Sequence, residues 1–393
     1  MASIIKKNIF ILILALYTML DALSIDLYTP AFPAMAVYFG TPVTTIQVTL
    51  SIFLISLAAG QLLWGIVMDC YGRKVPLIIG GALFVIGSVL AAFASCIPQI
   101  MFARSLQALG AASGLVGPRA MITDRFSGEE AARMFSVLMQ IFMAAPILAP
   151  LLGVLLVTYC GWQSTFIVLV FFGALVTISA ILKLPETRTV DAHKRTDITQ
   201  CVRNYFSLIK DKKFILNSIT GGLVFGVLFS YYAISPYIVL TIFSKGTLFF
   251  GLLAAFNGFL VIISGKINNH FISIHTPEKI LKCALFGLFT LGLATASVNL
   301  NINLTGYALF SSVTMFLLGL MFGNNTYITL SSRRGASGAA TAAALMGVIQ
   351  NGIGAILSFI ATTASNSQLV SLPLMAVLCA GTALFIQFII ASI

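Results

Sequence analysis

The sequence predicts an all-α polytopic membrane protein, with twelve transmembrane helices in two six-helix bundles. Three observations predict it: the scarcity of charge, the length of the apolar runs, and the one-sided placement of the basic residues. Of 393 residues, 59% are apolar and 8% charged, with a mean hydropathy of +1.04. An ordinary soluble domain is about 25% charged, and so few charges cannot cover a water-facing surface. Water-soluble classes are therefore excluded. A spanning helix needs about 20 apolar residues. Spanning β-strands instead alternate apolar and polar over about ten residues, and the continuous runs here exclude that architecture.

Turn residues and charges divide the apolar sequence into twelve runs. The first covers 9–31 and follows Lys6 and Lys7. It is too long for a cleaved leader and lacks a small-residue cleavage site, so it is read as a helix. Next come 46–68, 75–95, 99–120, 134–158 and 162–184. Very short connections around 97 and 160 join neighbouring helices there. The polar stretch from Pro185 to Lys213 follows, with the cluster Asp191, His193, Lys194, Arg195 and Asp197. It is expected to be a linker with one short interfacial helix. The remaining runs are 214–236, 248–269, 279–298, 303–328, 335–364 and 370–392. The expected division is thus 1–184, a linker 185–213, and 214–393. A faint echo links the halves: Gly65 and Asp69 end the second run, and Gly265 and Asn269 end the eighth.

Charge placement tests the count. With both termini cytoplasmic, 20 of the 22 basic residues fall on the cytoplasmic side, leaving Lys245 outside and Arg104 within a helix. A wrong count would scramble this bias, which follows the positive-inside rule. It also accounts for the net charge of +11, so no nucleic-acid partner is expected. The six cysteines show no metal-ligand spacing. No P-loop and no HExxH occur. No metal, no cofactor and no enzymatic activity are expected.

Two acids lie inside the first run, Asp21 near mid-membrane and Asp26 in the outer third. A charge there is costly and usually functional, and burial favours the neutral carboxyl. Either residue is a candidate to load and release a proton. They are about 140° apart around a helix, so both are not expected to face one cavity. Pro30 cannot donate to the carbonyl of residue 26, which weakens the helix at Asp26. Asp26 is also readable as a cap of the outer loop. Arg104 is expected to be the single deep basic residue, with Gln107 and Gly110 on the same face. It serves either as a tie between helices or as a charge acting on Asp26. After residue 213 the only acid is Glu278, so a proton site is expected in the first half.

The second turn reads Gly65-Ile-Val-Met-Asp69-Cys-Tyr-Gly72-Arg73-Lys74. Gly65 permits close helix approach, Gly72 a tight turn, and Asp69 a bond to a helix N-terminus or to an arginine. Such a turn can latch helices together. Tyr28, Phe53, Phe142, Tyr231, Tyr232 and Asn257 are candidate substrate contacts, because an aromatic lining suits varied amphipathic ligands.

The GxxxDxxGRK pattern at the end of the second run resembles the signature of the major facilitator superfamily. Three further stretches narrow the resemblance: Ser24-Ile-Asp26-Leu-Tyr-Thr-Pro30-Ala-Phe-Pro33; Arg104-Ser-Leu-Gln107-Ala-Leu-Gly110 with Arg119 to Asp124; and Ala145-Pro146-Ile-Leu-Ala-Pro150-Leu-Leu-Gly153. Together they resemble Bcr/CflA-type drug:proton antiporters. The resemblance implies the major facilitator fold, alternating access, and export of drugs from the bacterial inner membrane by a monomer. It implies Asp26 as the proton carboxylate, Arg104 as its electrostatic partner, Asp69 and Arg73 as a gate, and Pro146, Pro150 and Gly153 as the antiporter motif. Two departures are visible. Asp21 stands where an apolar residue is expected, and Val154 follows Gly153 where a second glycine is usual. A metabolite exporter or importer on the same fold, or a non-transporting sensor, are the alternatives.

Overall fold

The computed structural model describes residues 2–188, 198–297, 303–331, 338–363 and 368–392. The cluster Asp191 to Asp197 lies outside them. Among the described residues there are fourteen α-helices and no strand. In chain order they are α1 (Ala2–Asp26), α2 (Phe32–Phe39), α3 (Val43–Tyr71), α4 (Lys74–Ala92), α5 (Ile97–Arg125), α6 (Gly128–Cys160) and α7 (Gln163–Lys183). These are followed by α8 (Ile198–Lys210), α9 (Lys212–Tyr237), α10 (Thr247–Phe271), α11 (Pro277–Ser297), α12 (Leu304–Ser331), α13 (Ala339–Thr363) and α14 (Gln368–Ser392). Twelve are long, and α2 and α8 are short.

Ten of the long helices are both long and apolar enough to cross a membrane. Among the helices whose side chains are fully described, α5 is the exception. For α5 the reason is polarity, since it carries Arg104, Gln107, Arg119, Asp124 and Arg125. It can be polar because its surroundings are protein rather than lipid. Every residue from Gly110 to Thr123 is buried, and α1, α3 and α4 pack around it.

The first run is not one continuous helix. Regular structure stops at Asp26, a single 3-10 turn covers Thr29–Ala31 with Pro30 inside it, and α2 begins at Phe32. The missing proline N–H and the ring against the preceding turn account for the break.

Contacts divide the chain into two compact units. The first comprises 1–126, 141–206 and 333–345; the second comprises 127–140, 207–332 and 346–393. Thus α8 up to Phe206 and the start of α13 belong to the first unit, and the start of α6 belongs to the second.

In the first unit, glycines set the helix spacing. A Cβ on Gly110 would collide with the backbone of Phe84, one on Gly87 would lie 2.8 Å from the Gln107 Cα, and one on Gly114 would collide with the Tyr17 carbonyl. These seams bring α4 and α1 against α5 at backbone distance, which is how helices associate where apolar burial cannot drive them. The second unit relies more on amides. Asn325 donates to the Asn217 carbonyl at 3.1 Å, Gln350 to the Asn325 side chain at 3.2 Å, and Gln387 to the Asn217 side chain at 3.0 Å. This network ties α9, α12, α13 and α14 through buried polar groups that satisfy one another.

Gly110→Ala is expected to destabilise the protein by about 1–3 kcal/mol through overpacking. Gly251→Ala, with nothing within 4 Å of the added carbon, is expected to be neutral. Thermal unfolding of the two variants in detergent, followed by tryptophan fluorescence, checks the contrast.

Candidate functional site

The α3–α4 turn is built around a buried cation. Gly72 takes φ +93°, a left-handed conformation that side-chain-bearing residues avoid. A Cβ there would also lie 2.8 Å from a Glu186 oxygen. The turn folds Arg73 back against α3, where it is 2% exposed. Its Nη1 donates to Asp69 and to the Met68 carbonyl, each at 2.7 Å, and its Nε donates to Asp124 of α5 at 2.9 Å. Burial opposes its charge, but the two carboxylates outweigh that and hold the guanidinium above its ordinary pKa. The Asp69 carboxylate also accepts from the backbone N–H of Ala340 at 3.2 Å and of Thr341 at 2.9 Å, and from the Thr341 hydroxyl. It therefore caps the N-terminus of α13, where backbone donors lack helical partners. Gly65 supplies the room: a Cβ there would sit 2.8 Å from that of Ala344. Lys74 reaches the Ile181 carbonyl at 3.0 Å.

Glu186 is a contact of this turn that sequence reasoning missed. Its carboxylate accepts from the backbone N–H groups of Arg73, Lys74, Thr187 and Arg188 at 2.9–3.0 Å. Burial raises its pKa, but these four donors prevail and hold it below the ordinary 4.5. Its acidity and the open start of α4 were the available signals. Their meeting depends on a loop more than a hundred residues away.

Arg104 occupies a second site in the same unit. It is fully buried. Its guanidinium lies 4.1 Å from the Phe53 ring centre and 4.5 Å from that of Tyr28. Nη1 donates to the Ser24 carbonyl at 3.1 Å and to Gln107 at 2.5 Å, and Gln107 donates to Ser88 at 2.7 Å. Thr49 donates to the Ile46 carbonyl, so the Tyr28 hydroxyl donates to Thr49, at 2.5 Å. Aromatic faces and neutral dipoles thus hold the charge, and Nε and Nη2 have no protein partner. Tyr28 and Phe53, expected as substrate contacts, are the walls of this cage.

No ion pair joins Arg104 to Asp26 among the described residues. Asp26 ends α1, is half-buried, and has neither a hydrogen-bond nor an ion-pair partner among them. The break beside it is covered by α6: a Cβ on Gly153 would lie 2.7 Å from the Leu27 carbonyl and 3.1 Å from Pro30. Pro150 lies one turn earlier in α6 and is partly exposed. Pro146 belongs to the same helix, but its side chain lies outside the described residues.

Asp21 is 6% exposed, and its Oδ1 has no partner. The expectation that Arg104 is the single deep basic residue does not hold. Arg119 in α5 is 3% exposed, with Nε and Nη1 unpartnered, and its charge acts on Asp21. Its nearness to the chain's basic turn disguised it. Seen on α5, it is six residues inside the helix end.

The second unit has its own polar–aromatic cluster. Asn257 donates to the Tyr231 hydroxyl at 2.7 Å and accepts from Ser312 at 2.8 Å, while Tyr307 donates to Ser235 at 2.7 Å. The Tyr232 ring lies 5.8 Å from that of Tyr231, tilted by 59°. Phe142, in the first unit, is buried apart from these contacts. In the second unit a Cβ on Gly265 would collide with Gln140 of α6, and Asn268 donates to Ser136 at 3.2 Å. The end of α10 therefore meets the start of α6 much as the end of α3 meets the start of α13. No group of residues able to hold a metal occurs among the described residues.

A model of the Major Facilitator Superfamily matches residues 14–361. The chain is 31% identical over 350 residues to the uncharacterized MFS-type transporter YdgK of Bacillus subtilis (strain 168), covering 88% of this chain and 86% of that one. It is 26% identical over 285 residues to a bicyclomycin resistance protein homolog of Haemophilus influenzae, covering 72% of each. Among solved structures, the proton:xylose symporter XylE superposes with a TM-score of 0.77 at 14% identity, covering 98% of this chain and 95% of that one.

A depressed carboxyl pKa stabilises the fold above its unfolded value, and that contribution disappears as pH falls through the folded value. Glu186→Gln is therefore expected to lower the thermal midpoint at pH 7 by about 2 °C, discounted for exposure. The gap to the parent should narrow as pH falls below the ordinary 4.5 and through the lower folded value. Thermal melts of both proteins across that range measure it.

Proposed function

The chain belongs to the Major Facilitator Superfamily, and from that premise we propose that it is a proton-coupled exporter of drugs or similar small amphipathic molecules. Family and fold are those of transporters rather than enzymes, and the chain is a multi-pass membrane protein. The observation that carries the coupling is the state of Asp26. It is an acid at a helix break within an apolar helix, with no hydrogen-bond or ion-pair partner among the described residues. Such a carboxyl is free to gain and lose a proton, whereas one locked to an arginine is not. The likeness to a bicyclomycin resistance protein homolog supports a drug-like substrate.

In this reading Asp26 is deprotonated when substrate enters from the cytoplasm or inner leaflet. Two six-helix bundles in the bacterial inner membrane, with both termini inside, then alternate access. The Asp69–Arg73 turn closes the inner side, and a proton from outside neutralises Asp26 and releases the substrate. One proton moving inward across 100 mV supplies about 2.3 kcal/mol. Arg104 acts on Asp26 through its field rather than by a direct pair, and Asp21 with Arg119 forms a reserve charge couple. Tyr28, Phe53 and Phe142 in the first unit, and Tyr231, Tyr232 and Asn257 in the second, are the proposed substrate contacts. Gly153, with Pro146 and Pro150, shapes the backbone beside Asp26. The protein acts as a monomer without cofactor or nucleic acid.

The test is proton release from detergent-purified protein on adding cationic, neutral and zwitterionic drugs. The parent is expected to release protons, Asp21→Asn to retain release, and Asp26→Asn to lose it while still folding. Release that survives Asp26→Asn and disappears in Asp21→Asn would move the site to Asp21. Efflux driven by an imposed pH gradient in proteoliposomes fixes the direction, and uptake would sink the export reading.

A further inference from the structure

The residue after Asp69 in the chain is a cysteine. Cys70 ends α3 one position before Tyr71, and it meets Cys201 of α8 with the two Sγ atoms 2.9 Å apart. The two positions are 131 residues apart. Both side chains are buried, Cys70 at 7% and Cys201 at 0% exposure. A second contact docks α8 beside them: the Tyr205 hydroxyl donates to the Leu62 carbonyl at 2.7 Å. Its ring end fills the space that Gly65 leaves open. One short helix of the linker region thus rests on the end of α3, against the residues that cap α13.

We propose that Cys70 and Cys201 are a reversible thiol–disulfide site, oxidised by hydroperoxides, that fastens α8 to the end of α3. Closing the gap to a disulfide takes less than about 1 Å of movement. The chemistry balances in two steps. A hydroperoxide transfers an oxygen to one thiol, giving a sulfenic acid and an alcohol, or water from hydrogen peroxide. The second thiol then attacks the sulfenic sulfur; the S–S bond forms and water leaves. A dithiol reductant returns two electrons and two protons and restores both thiols.

The docked state protects the pair. Burial pushes the Cys201 thiol up to about 12, so it is held in the protonated form, which is a poor nucleophile. The first step therefore begins when α8 lifts and Cys201 reaches solvent, and the second completes when it returns to Cys70. The bond then holds α8 down. Because Cys70 follows Asp69 directly, a fastened α8 restrains the turn that binds Thr341. On the export reading proposed above, oxidation slows the cycle by holding that turn closed.

The experiment uses the full chain in lipid nanodiscs, with Cys96→Ser, Cys160→Ser and Cys283→Ser removing the exposed thiols. Hydrogen peroxide is the oxidant. Peptide mass spectrometry is expected to find Cys70 joined to Cys201, with the link reversed by dithiothreitol and absent in Cys201→Ser. Amide exchange across residues 198–210 is expected to slow about tenfold on oxidation. Tyr205→Phe, which loses the bond to Leu62, is expected to speed the first oxidation step. Separate sulfinic acids without the link, or a link that leaves α8 exchange unchanged, would overturn the clasp. In proteoliposomes, ethidium efflux driven by a pH gradient is expected to fall on oxidation and recover on reduction. Full efflux by the linked protein would overturn its effect on the cycle. Absence of efflux from the reduced protein would overturn the export reading, and the clasp is then judged on the link and the exchange alone.

Discussion

Arg73 must stay charged in a place with almost no water, and much of the first unit is arranged to make that possible. Two carboxylates from different helices face it, Asp69 on α3 and Asp124 on α5. Removing either would leave an incompletely paired buried charge, the costly case for an ion pair. The backbone that delivers Arg73 needs the left-handed Gly72, and the N–H groups of Arg73 and Lys74 are held by Glu186. Asp69 still has acceptor capacity after binding Arg73, and that capacity fixes the first turn of α13. A single charge balance therefore positions α3, α4, α5, the segment after α7, and α13.

Arg104 shows a different solution to the same problem. No carboxylate pairs with it among the described residues; two aromatic faces, a side-chain amide and a carbonyl hold it instead. Aromatic quadrupoles and neutral dipoles stabilise a cation without requiring a compensating anion. Asp26, at the end of α1, has no ion-pair partner among the described residues. An Asp26 held in a short ion pair would resist protonation. The cage thus ties α1, α3 and α5 together without using an acid.

The two units repeat one packing device with different chemistry. Gly65 lets α13 approach α3, and Gly265 lets α6 approach α10. The first contact is charged, through Asp69, whereas the second is neutral, through Asn268 and Ser136. The stronger bonds lie beside the buried Arg73, where charge is already present and a further carboxylate acceptor is least costly. The neutral version suits a unit whose interior is joined by amides. The Gly65/Asp69 and Gly265/Asn269 echo thus has a structural counterpart, although Asn268 rather than Asn269 makes the contact.

By itself the sequence determined the class, the long helices, the break at Pro30 and the residue types of the α3–α4 turn. Each depends on local properties: apolar length against bilayer thickness, the missing proline N–H, and the conformational freedom of Gly72. Only the tertiary structure decided which polar groups meet. Glu186 under α4, Thr341 on Asp69, Phe53 against Arg104 and Cys201 against Cys70 all join distant segments. Arg119 was legible as a basic residue but not as a buried one, because its exposure depends on what surrounds α5. Residue type limits what a side chain can bond. The close approach of helices, at seams of glycine tens of residues apart, selects the bond that forms.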